Sequence, residues 1–151
     1  MKNWIILAVA ALLFAGCSKK SKTVSADSIL LYAGDGFVAV PSPRYYKITK
    51  DAVLEDTLVW QNNVDVFDKP VPAEKSVLAK QLLTKITRGM LDENDKQYLS
   101  DRIADAATNT ITATVGGKIY RWHITEDTES LPGHVRDFGK AVNDAATQLE
   151  Q

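Results

Sequence analysis

The chain has one cysteine, Cys17, and it stands at the end of the only long apolar run. Trp4 to Phe14 carries no charge, and the indole of Trp4 is its only hydrogen-bonding side chain. Lys2 gives the run a basic start, and Ala15 and Gly16 supply small residues before the cysteine. A basic start, a short apolar core and a small-residue ending are the parts of a secretory signal. The run is too short for a hydrocarbon layer of ~30 Å, which needs ~20 helical residues. Residues 1–16 are therefore expected to leave, and a transmembrane anchor is the weaker reading. A lone cysteine also denies the fold an internal disulfide and a cysteine metal site, so what remains must stand on packing.

Ala15-Gly16-Cys17 resembles the bacterial lipobox, with Phe14 where that pattern usually has Leu. The resemblance implies cleavage between Gly16 and Cys17, a thioether diacylglycerol on Cys17 and acylation of the new amine, with palmitate among the chains. Each buried methylene contributes ~0.8 kcal/mol, so two or more chains anchor stably. By resemblance to Gram-negative sorting, Ser18 rather than Asp after the cysteine implies outer-membrane delivery. Lys19, Lys20 and Lys22 argue against surface export and for a domain facing the periplasm. The polar stretch over residues 17–27 is expected to be a flexible tether. Its lysines either touch anionic lipid heads or are simply solvated.

Removing residues 1–16 leaves 135 residues with a formal net charge of −2, enough for one domain over residues 28–151. There is no basic excess for nucleic acid and no acidic excess for a cation store. Ile29-Leu30-Leu31-Tyr32 and Phe37-Val38-Ala39-Val40 flank Gly34-Asp35-Gly36 and predict a hairpin. Arg44 to Thr49, Ala52 to Glu55, Thr57 to Trp60 and Val64 to Phe67 predict an antiparallel meander. Val77, Leu78, Gln81, Leu82 and Ile86 fall at helical spacing behind Pro72, predicting a helix over about 72–87. Lys96 to Ala107 is expected to hold a short, poorly formed helix.

Two alternating segments around Gly116-Gly117 predict a two-residue hairpin with Val115 opposite Lys118, Ala113 opposite Tyr120 and Ile111 opposite Trp122. One face then collects Ile111, Ala113, Val115, Tyr120, Trp122 and Ile124 for the core. The other carries the threonines with Ile119, Arg121 and His123. Val135, Phe138, Val142, Ala145, Ala146 and Leu149 form one stripe, predicting a last helix over about 132–149. The fold class is α+β: an antiparallel sheet of about five to seven strands with two main helices.

There is no His-Glu-x-x-His, P-loop, Gly-x-Gly-x-x-Gly or Gly-x-Ser-x-Gly. No metal or cofactor is expected. His123 and His134 read as surface residues, and Asp92, Glu93 and Asp95 lack the spacing of a calcium loop. Arg121 and His123 beside the threonines make the one definable polar sheet face, a candidate for binding a partner or an anion. The Gly34-to-Phe37 start, the middle helix and the ending from Tyr120-Arg121-Trp122 through Leu131-Pro132 to Leu149 resemble emfourin-type small bacterial domains. That resemblance implies an α+β inhibitor of metallopeptidases and names no inhibitory residue; the segment Asp51 to Phe67 departs from it. The expected function is a non-catalytic, membrane-anchored envelope lipoprotein that binds another protein. The alternative is a small periplasmic hydrolase or ligand-binding enzyme whose site is not visible in the sequence.

Overall fold

The computed structural model describes residues 22–35, 44–56, 66–104 and 106–151. The cleavage pair Gly16 and Cys17, the expected strands at Phe37–Val40 and Thr57–Trp60, and the first half of the segment Val64 to Phe67 lie outside those residues.

The Gly116-Gly117 hairpin forms two adjacent strands of the large sheet. Both glycines have positive φ, 56° and 77°, the combination a type I′ turn needs and L-residues resist. β8 (Thr108–Val115) and β9 (Lys118–Thr125) pair from Val115↔Lys118 through Ala113↔Tyr120 and Ile111↔Trp122 to Thr108↔Thr125. This is the expected register, and it sends Ile111, Ala113, Trp122 and Ile124 fully inside. β2 (Ser28–Asp35) lies antiparallel beside β8. Its second neighbour is β3 (Arg44–Thr49), paired from Ser28↔Thr49 to Ala33↔Arg44. The strand thus runs on through Gly34 and Asp35 instead of turning there.

β4 (Val53–Asp56) and β5 (Phe67–Pro70) complete that side, giving the order β5-β4-β3-β2-β8-β9. Pro70 is tolerated because β5 is an edge strand. β7 (Lys96–Tyr98) closes the other edge, parallel to β9. The sheet is therefore mixed, and Lys96–Tyr98 is strand where a short helix was expected. Asp95 makes the entry possible: with φ at 60° it turns the chain and donates its N–H to the Arg121 carbonyl at 2.8 Å.

The first helical region is a composite. A 3₁₀ turn at Ala73–Lys75, α1 (Val77–Gln81) and a second 3₁₀ turn at Leu82–Thr84 follow one another. Ile86 and Thr87, expected at the end of the helix, form β6 instead, pairing with β1 (Thr23–Val24) in a separate two-stranded sheet. Residues 22–27, within the stretch expected to be tether, are thus held on the domain: Ala26 is buried and donates its N–H to the Leu83 carbonyl. α2 (Arg88–Leu91) follows, capped where the Thr87 hydroxyl accepts from Met90 N.

α3 (Gly133–Glu150) buries its stripe, Val135, Phe138, Val142, Ala145, Ala146 and Leu149, as expected. Gly139 in that stripe allows close packing, since a Cβ there would collide with Leu131 and lie 3.2 Å from Ile124. Trp122 meets Phe138 edge-on at 6.5 Å. Helices, β1 and β6 share one core with the inner face of the sheet. No helix of the described residues is long and apolar enough to cross a membrane.

Candidate functional site

On the opposite face of the large sheet the side chains across the middle strands are half-buried or exposed, and Thr125 at the end of β9 is buried. Register places them in rows across the strands. Tyr45, Tyr32, Thr110, His123 and Gln97 form one row. Leu54, Lys47, Leu30, Thr112 and Arg121 form the next. Tyr32 and Tyr45 stack at 4.4 Å between ring centroids. The Thr110 hydroxyl and His123 Nδ1 are 2.9 Å apart, and Arg121 Nε donates to Thr112 Oγ1 at 3.4 Å. Ile119, 66 % exposed, stands beyond Arg121 on the same strand and the same face. Arg121 and His123 thus lie on the outer face, each braced by a cross-strand threonine. Aromatic rings, hydroxyls and a guanidinium on one face suit contact with another surface by stacking and hydrogen bonding.

A second constellation gathers residues distant in sequence. Trp122 Nε1 donates to the carbonyls of Met90 and Glu93, at 3.0 and 3.1 Å, and so fixes the end of α2. The Glu93 carboxylate then receives Lys96 Nζ at 2.6 Å on one oxygen, and the Tyr98 hydroxyl at 2.5 Å and His134 Nε2 at 2.8 Å on the other. The Lys96 ammonium, then Tyr98 and His134, hold the Glu93 carboxyl at about 2, well below its ordinary value. Burial first, then the Glu93 charge, pushes the Tyr98 phenol upward. The Thr87 hydroxyl donates to the His134 carbonyl at 3.1 Å, and the His134 ring lies over Gly89. Glu93 therefore ties α2, β7 and α3 together. Sequence reading placed Glu93 in a solvated acidic loop and His134 on the surface; no local pattern marks two partners 41 residues apart.

Asp127 forms a smaller knot. Its Oδ2 accepts the Ser130 hydroxyl at 2.5 Å and the Ser100 hydroxyl at 2.7 Å, which hold its pKa below the ordinary value, while Arg102 lies 3.9 Å from the other oxygen. Ser100 also accepts the N–H groups of Arg102 and Ile103. A nucleophilic serine needs a base at its hydroxyl. Ser100 does hydrogen-bond a carboxylate, but Asp127 is held below its ordinary pKa by two hydroxyls and is a weak base, and the histidines are engaged with Thr110 and Glu93. Among the described residues no three His, Cys, Asp or Glu side chains converge on a position for a metal.

No protein-family description, curated protein or solved structure matches this chain significantly.

Proposed function

We propose that the chain is a bacterial envelope lipoprotein, anchored through lipid on Cys17, most consistent with delivery to the outer membrane facing the periplasm, whose domain binds another envelope protein. The observation that carries the anchor is the Ala15-Gly16-Cys17 ending of an apolar run too short to span. The outer sheet face supports the binding role through the rows running from the stacked Tyr32 and Tyr45 to His123 and Arg121. Peptidase inhibition is one version of that role and rests on the order of elements alone.

The alternative is a hydrolase using His134 with Glu93. The pair is within hydrogen-bond reach, which favours the idea, but Nε2 is occupied by a carboxylate already shared with Lys96 and Tyr98. A photo-crosslinking residue at Thr112, compared with one at Lys140 on α3, separates the readings. A discrete crosslinked envelope protein from Thr112 alone supports the binding face. Equal labelling from both positions counts against it.

A further inference from the structure

The anchor and the fold are closer together than a tether to residue 28 would place them. The Lys22 carbonyl already accepts the Arg88 N–H at 3.0 Å, Thr23 pairs with Thr87 and Val24 with Ile86. Ile86 is fully buried and Val24 packs on the same core, so the chain is held from Lys22 onward. Only five residue steps separate Lys22 from Cys17, a reach of at most about 18 Å. A domain of this size is about 35 Å across. The surface around Lys22 must therefore stay near the lipid headgroups while the far side cannot reach them.

That surface is basic. Lys22, Lys85 and Arg88 are all exposed, and Lys19 and Lys20 precede them in the chain. Asp92, four residues past Arg88, and Asp27, five past Lys22, are the exposed acids nearest in sequence, while Glu93 is consumed by its three partners. We propose that the β1–β6 edge is the membrane-facing surface of the domain, with Lys22, Lys85 and Arg88 seated on anionic lipid headgroups. The proposal rests on the lipid anchor at Cys17. It also fixes an orientation. The Thr87–His134 bond sets this edge at the start of α3. Near the other end of that helix, Gln148 accepts from Leu78 N and donates to the Glu74 carbonyl, about 21 Å along the axis.

The test uses the lipidated protein reconstituted in phosphatidylcholine vesicles, with and without phosphatidylglycerol, containing headgroup-nitroxide lipid. Fluorophores are placed on Thr84→Cys and, separately, on Glu74→Cys, both exposed positions. Flotation reports the anchor independently. Phosphatidylglycerol should raise quenching at position 84 and leave position 74 nearly unquenched. Each basic residue near an anionic surface favours the seated state by about fivefold. Loss of both charges should therefore lower it by about 25-fold, the squared factor, and Lys85→Glu with Arg88→Glu should lower it further. Lys85→Gln with Arg88→Gln should give an intermediate loss at an unchanged melting temperature. Flotation with equal quenching at the two positions, or quenching indifferent to phosphatidylglycerol, overturns the orientation and leaves the anchor standing. Failure to float overturns both.

Discussion

Replacing Glu93 by Gln keeps the shape of the side chain and removes its charge. Three donors converge on this carboxylate, from Lys96, Tyr98 and His134. The fall of its pKa from 4.5 to about 2 corresponds to on the order of 3 kcal/mol. Solvent reaches 27 % of the side chain, and that screening reduces the stabilisation to about 1–2 kcal/mol. The sign follows from a folded pKa below the unfolded one. The contribution is complete above the unfolded value of about 4.5 and disappears as pH falls through about 2. Urea unfolding followed by circular dichroism should place the Glu93→Gln midpoint about 1 M below that of the natural protein at neutral pH. The gap between the two should hold down to about pH 5 and shrink by roughly half by about pH 3. A gap absent at neutral pH, or one that stays constant into acid, would refute the assignment of Glu93 as the ionic tie between α2, β7 and α3.

Further predictions address the hairpin, the core and the outer face. Gly117→Ala, at a φ of 77°, should cost about 1–2 kcal/mol and lower the melting temperature by several degrees, whereas Gly116→Asn should be nearly neutral. Trp122→Phe leaves the Met90 and Glu93 carbonyls without their shared donor and should cost about 1–3 kcal/mol in urea unfolding. Arg121→Glu and Ile119→Ser change exposed positions and should alter stability by less than about 0.5 kcal/mol. The same two changes should weaken crosslinking from the outer face, and unchanged crosslinking would remove that face from the account.

The parts of the fold legible in the sequence are those where one pattern excludes its rivals. Gly116-Gly117 between alternating segments sets both the turn and the register, because a shift of one residue would turn Ile111 and Trp122 outward. The stripe from Val135 to Leu149 is long enough to be helix alone. By contrast, Val77, Leu78 and Leu82 fit an α-helix and equally the mixture of 3₁₀ and α turns that forms. Lys96-Gln97-Tyr98 is too short to show alternation, and its strand identity comes from its partner β9 and from Glu93. β1 and β6 are two residues each, below any periodic signal. The outer face with Arg121 and His123 was readable because it follows from the hairpin register. The Glu93 cluster was not, because only tertiary packing brings residues 93, 96, 98 and 134 together.

The central claim concerns Cys17, and intact-mass measurement of the protein recovered from bacterial membranes tests it most directly. The account predicts a chain beginning at Cys17 that carries a diacylglycerol thioether and an acylated amine, with labelled palmitate incorporated by the natural protein and not by Cys17→Ser. A recovered chain with an unmodified Cys17 thiol, or palmitate still incorporated by Cys17→Ser, would contradict it.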